Sequence, residues 1–209
     1  MAKRKTTTRR AKETPDAQEM LVLELQEIHS AESQLARVLP RLVKAAESET
    51  FRSSLEERFA QGERLIAEVE AALDELDATP GRKKNVAAEG LINDAREHVQ
   101  EIAKGPSLDA VLLAAIQKTE HYCIAAWGTV KAIGAALGEK EVVKSMDRAL
   151  KEGYKLDEGL TKLAETELMP ALLAGAQGEE ELEDDEEELS SGSGGRGNQR
   201  GRGEGRVST

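Results

Sequence analysis

A chain of 209 residues that is 33% charged and 2% aromatic, with a formal charge of -11, has no apolar run near the roughly 18 residues a membrane span requires. Its single cysteine, Cys123, excludes an intrachain disulfide. The charge is uneven: residues 1–12 carry six basic groups and no acid, residues 178–189 carry nine acids, and residues 190–209 carry four Arg against one Glu, which leaves -11 on residues 13–177.

That acidic body disfavours broad contact with phosphate backbones. Any nucleic-acid contact is therefore expected from the basic N-terminal arm or the Arg-Gly tail, through phosphate attraction. The basic start is not followed by an apolar stretch and small-residue cleavage site, so a cytoplasmic location is expected. Three units follow from composition: a disordered basic arm over 1–14, a helical body over 15–174, and a disordered tail, acidic and then Gly/Arg-rich, over 175–209. Abundant Ala, Leu, Glu and Lys favour helix, because straight side chains lose little rotamer freedom there. No strands are expected.

The first helix is predicted over about 17–47, with Thr14 as its N-cap, Pro15 in the first turn and Asp16 favourable to the dipole. Its apolar positions Leu21, Leu25, Ile28, Leu35, Leu39, Leu42 and Ala46 step by three and four residues, and Glu32 falls within that series. Pro40 lies inside and is expected to kink the helix one turn earlier. A second helix over about 51–77 carries Leu55, Phe59, Gly62, Ile66, Val69, Leu73 and Leu76 on one stripe, and Thr79-Pro80-Gly81 ends it. The basic loop Arg82-Lys83-Lys84 leads to a shorter helix over about 86–103, with Leu91, Ile92, Ala95, Val99 and Ile102 as its stripe.

After Gly105-Pro106, Ser107 is placed to cap a third long helix over about 107–137. Leu112, Ile116, Cys123, Trp127, Val130, Gly134 and Leu137 share one face, which also contains Glu120; Gly138 is the C-cap. The fourth long helix, over about 139–168, runs Met146, Leu150, Gly153, Asp157, Leu160, Ala164 and Glu167. Four long helices with one longer crossover suit an all-α, ferritin-like antiparallel four-helix bundle, the short helix forming part of the crossover between the second and third long helices.

Three of the four seams are thus interrupted by a carboxylate near mid-helix: Glu32, Glu120 and Asp157. An unpaired carboxylate in an apolar core costs several kcal/mol, so three acids converging at one level ask for compensation. Inward carboxylates with imidazole partners hold the metal pair of ferritin-like di-iron and di-manganese proteins, which makes iron or manganese the candidate cofactor. The alternative is that the acids pair with Lys or Arg, or that a rotation of a helix brings them to water. Histidine is scarce. His29, three residues before Glu32, is the one candidate imidazole; His98 lies on the short helix and His121 is about 100° round from Glu120.

The strings LVLELQEIHSAESQLARVLPRLVKAA, VAAEGLI, AAIQKTEHYCIAAWGTVKAIGAALG and LKEGYKLDEGLTKLAE resemble the YciE/YciF family of ferritin-like stress-response proteins, in order over roughly residues 16–168. The resemblance implies a helical bundle that forms homodimers, a dinuclear metal site in its core, and a role in general or osmotic stress with no established reaction. Of the family's site, Ala31-Glu32, Glu120, Glu152 and Asp157 are kept. Cys123 stands where relatives usually have a second acid and Gly153 where they have a paired acid. Arg58, Gln61 and Leu65 stand where they commonly carry metal-type side chains. The retained set, Glu32, Glu120 and Asp157 with His29, would hold one ion at most.

The leading expectation is therefore a stress-response protein with a degenerate di-metal site, non-catalytic or weakly metal-binding. A di-iron oxidase or peroxide-scavenging enzyme is the second reading, and a tail-mediated nucleic-acid or protein interaction module the third. With no strand-borne Gly-rich loop and no Ser-His-Asp or Cys-His arrangement, nucleotide-binding and hydrolase readings are excluded.

Overall fold

The computed structural model describes residues 14–175; the basic arm and the acidic and Arg-Gly tail lie outside them, apart from Thr14 and Gly175. Among the described residues there is helix and no strand: α1 (Ala17–Ala45), α2 (Glu49–Glu75), α3 (Val86–Glu101), α4 (Pro106–Leu137) and α5 (Lys140–Leu163). A π-helical stretch, Ala164–Leu168, follows α5, and the chain stays helical to residue 175.

The helix ends correct two expectations. Asp16, not Thr14, caps α1: its carboxylate accepts from the Glu19 amide at 2.8 Å while the Glu19 carboxylate accepts from the Asp16 amide at 3.0 Å, a reciprocal capping box. Gly105, not Ser107, caps α4 and makes no side-chain cap bond, with Pro106 in the first helical position, where its missing N–H is not needed. Gly138 closes α4 in the left-handed region at φ 83°, as its place after Leu137 predicts. The helix α1 runs on through Pro40.

The long helices close a ring: α1 packs on α2 and α4, and α5 packs on α4 and α2, while α3 lies against α1 and α4. The turn between α1 and α2 is fixed from across the molecule. Asp109, on the first turn of α4 and only 1% exposed, accepts from the backbone amides of Glu47 at 2.9 Å and Ser48 at 2.7 Å. A buried carboxylate satisfied by backbone donors is stabilising where an unsatisfied one is costly.

The seam positions of α1 are all buried as their spacing predicts. On α2 the buried stripe is Phe51, Leu55, Arg58, Gly62, Leu65, Val69 and Leu73, with Gln61 buried beside it, so Arg58 and Leu65 occupy the core in place of the expected Phe59 and Ile66. Both choices step by three and four residues, and the composition of the stripe does not decide between adjacent phases. Each fully buried leucine contributes about 1.5–3 kcal/mol, and these residues form two clusters. One gathers Leu35, Leu39, Phe51, Leu55, Leu112 and Leu160. The other gathers Leu21, Leu25, Leu65, Trp127, Val130 and Met146. On α1, α2 and α4 the two sets are separated by one level, and that level is polar.

A buried arginine between two carboxylates

At the level between the clusters α1 supplies Glu32, α2 supplies Arg58, α4 supplies Glu120, and all three are 1% exposed. Arg58 Nη2 donates to both oxygens of Glu32 at 3.0 Å, and Nε donates to Glu120 Oε2 at 2.7 Å. The planar fork thus spans two helices from a third, a geometry that an ammonium does not reproduce. The guanidinium also lies 5.5 Å from the centroid of the Trp127 ring, within cation–π range. Cys123 Sγ is 3.8 Å from Nη2.

Two glycines make the space. A Cβ on Gly62 would stand 3.2 Å from Arg58 Nη1 and 3.3 Å from Glu32 Oε2. A Cβ on Gly153 would stand 2.6 Å from the Trp127 ring and 2.8 Å from Glu120 Oε1, closer than packed atoms approach. Gly153, where the family resemblance implies an acid, thus leaves its volume to an indole and a carboxylate.

Burial disfavours the charge on Arg58, but Glu32 and Glu120 together outweigh it and hold the guanidinium protonated more firmly than usual. For Glu120 burial is the largest influence and pushes its carboxyl up, opposed by Arg58. Two carboxylates facing one guanidinium leave negative charge in excess in a dry core, which favours the protonated form of Glu120 relative to a carboxyl in water. The Cys123 thiol is also pushed well up, first by burial and then by the charge on Glu32. Three buried polar atoms find no hydrogen-bond partner among the described residues: Arg58 Nη1, Glu120 Oε1 and Trp127 Nε1.

Of the four candidate ligands, Glu32 and Glu120 meet and the other two do not join them. Asp157 lies at the margin of the bundle, its side chain 22% exposed, with its Oδ1 3.2 Å from His121 Nε2. His29 Nε2 is 2.8 Å from Glu70 Oε1. Among the described residues no group of three or more His, Cys, Asp or Glu side chains is placed to hold a metal ion. The residues therefore do not fit iron or manganese: the space between the two acids is filled by a fixed cation, and a second cation there would be repelled. Sequence reasoning noted Arg58 only as a lost ligand. The signal for its actual place was the stripe Phe51, Leu55, Arg58, Gly62, Leu65, whose phase puts a cation in the seam opposite the acids.

Residues 16–172 match the family model described as "Domain of unknown function (DUF892)". The chain is 39% identical over 144 residues to Protein YciF of Escherichia coli (strain K12), covering 67% of this chain and 85% of that one. The crystal structure of the E. coli stress protein YciF superposes with a TM-score of 0.68 at 32% identity, over 72% of this chain and 96% of that one. YcfI from Rhodopseudomonas palustris is similar at a TM-score of 0.66 and 28% identity, over 70% of this chain and 94% of that one.

Proposed function

The chain belongs to the DUF892 family, that of YciF, and from that membership we propose that it is a ferritin-like stress-response protein whose four-helix bundle carries a degenerate, non-catalytic di-metal site. The observation that supports this reading is Arg58, which binds Glu32 and Glu120 at once where a core ion would need both. A catalytic metal site keeps an open coordination position for a reactant; this level instead offers a guanidinium already spent on two carboxylates and a thiol held protonated. Its role is structural. A bundle whose two core acids share an arginine of its own folds without waiting for a metal and keeps its form when metal supply changes.

The homodimer and the cytoplasmic location belong to the same proposal and rest on the family resemblance; no helix among the described residues is long and apolar enough to cross a membrane. Light scattering on the eluting full-length protein reads the first. The metal claim is tested by elemental analysis of purified protein, then anaerobic addition of Fe(II) followed by oxygen. The expected result is substoichiometric metal and no ferric absorbance above a protein-free control. Stoichiometric iron or manganese, or a ferric band abolished by Glu32→Ala, would overturn the proposal.

A further inference from the structure

The basic loop between α2 and α3 folds back on α1 and encloses a cleft of about 180 Å³. One wall is the polar face of α1, with Ser33 and Arg37; the other is the loop, with Arg82, Lys83 and Lys84. Four cations and no carboxylate line it, on a chain whose net charge is -11. Such a local reversal of sign concentrates anions against the overall field.

The cleft is preformed. Gln26 Nε2 donates to the Thr79 carbonyl at 2.8 Å, the Asn85 amide donates to Ser30 Oγ at 2.9 Å, and Gln34 Nε2 donates to the Asn85 carbonyl at 3.1 Å. These bonds fasten both ends of the loop to α1. Two of the cations have acidic neighbours: Lys83 lies 3.5 Å from Glu27, and Lys84 lies 2.6 Å from Glu89. Arg37 and Arg82 form no ion pair among the described residues, and the Ser33 hydroxyl forms no hydrogen bond among them. Asn85 also caps the 16-residue α3, whose positive end is therefore turned toward the loop.

We propose that this cleft binds a phosphoryl oxyanion, with Arg37 and Arg82 as its principal donors. Guanidinium groups suit tetrahedral oxyanions, which they engage through paired N–H donors. The cleft is smaller than the roughly 300 Å³ at which sites for drug-sized molecules begin, so it takes the phosphoryl group itself rather than a whole nucleoside. The proposal is independent of the arginine in the core.

The test is the thermal midpoint of the full-length protein in inorganic pyrophosphate, against sodium chloride at matched ionic strength. A ligand that binds the folded state raises the midpoint in a saturable manner. Wild-type protein is expected to show that rise, and the Arg37→Gln/Arg82→Gln variant to bind at least tenfold more weakly. Both side chains are exposed, so the variant should keep its fold, checked by far-UV circular dichroism. A Lys140→Gln/Lys155→Gln variant removes the same charge elsewhere and is expected to bind like wild type. No rise beyond chloride, or equal weakening in both variants, overturns the proposal. A single-stranded oligonucleotide that displaces pyrophosphate in an Arg37- and Arg82-dependent manner would make a nucleic-acid phosphodiester the source; failure to displace it would leave a free phosphorylated molecule.

Discussion

Arg58→Met is the substitution that isolates the energetics of the core. Methionine has nearly the length of the arginine stem and fills irregular space well, so the change removes charge with little change of volume. Glu32 and Glu120 then face each other at 1% exposure without their shared donor. Removing one member of a buried ion pair costs about 3–5 kcal/mol, a large fraction of the roughly 5–15 kcal/mol that holds a domain folded. With a urea slope of about 2 kcal/mol/M, the midpoint should fall by about 2 M. The loss should also depend on pH. Burial already holds the Glu120 carboxyl above its ordinary 4.5, and Arg58 is the main influence pulling it down. Without Arg58 that carboxyl rises further, so the folded variant keeps a proton that the unfolded chain gives up above about pH 4.5. Stability then falls as pH rises through that window, and the deficit is smaller at pH 5 than at pH 8. The triple variant Glu32→Leu/Arg58→Met/Glu120→Leu has no charge left to strand and should lie near wild type or above it, because well-packed apolar replacements of buried ion groups are often neutral or stabilising. Urea unfolding followed by far-UV circular dichroism at both pH values checks all three. A single variant no less stable than the triple, or a deficit equal at pH 5 and pH 8, would refute the account.

Gly153→Ala should destabilise by about 1–3 kcal/mol as an overpacked core position, although alanine in an exposed helix interior would gain about 0.5–1 kcal/mol over glycine; the added carbon meets the Trp127 ring at 2.6 Å. Thermal melts of Gly153→Ala beside Gly159→Ala, where nothing lies within 4 Å of the new carbon, separate crowding from propensity, and a stabilised Gly153→Ala would contradict the packing described. Cys123 is 3% exposed with its thiol held protonated, and only the thiolate reacts. Iodoacetamide at neutral pH should leave the folded protein unlabelled by mass spectrometry and label it fully in denaturant; rapid labelling under native conditions would show an open core.

Helical class, element order and most of the seams were legible in the sequence because each rests on a repeat that runs the length of a helix. Glu32 and Glu120 were legible for the same reason: both sit in series whose neighbours one turn away on either side are apolar. The phase of α2 was not. Phe59 and Ile66 compete for the stripe with Arg58 and Leu65, and a charged residue loses that comparison on hydropathy alone. What decides the phase is a partner on another helix, which no local pattern contains. Asp157 failed for a related reason. Its helix has Gly153 and Leu160 on the buried face, but residues 156 and 157 straddle the boundary, and His121, set aside for its angle from Glu120, is the residue that meets it. The cap at Asp16 was masked by Thr14, which stands two residues earlier with an equally suitable hydroxyl.

The polar level between the two apolar clusters also acts as an index mark along the bundle. Leucines pack against leucines in many offsets, so a purely aliphatic interior would let α2 slide along its neighbours with little penalty. A slide of one turn, about 5.4 Å, would carry the guanidinium of Arg58 away from both acids and into Leu55-type or Leu65-type surroundings on either side. Only one axial alignment of α1, α2 and α4 satisfies the fork, much as a single keyed tooth permits one meshing of otherwise uniform gears.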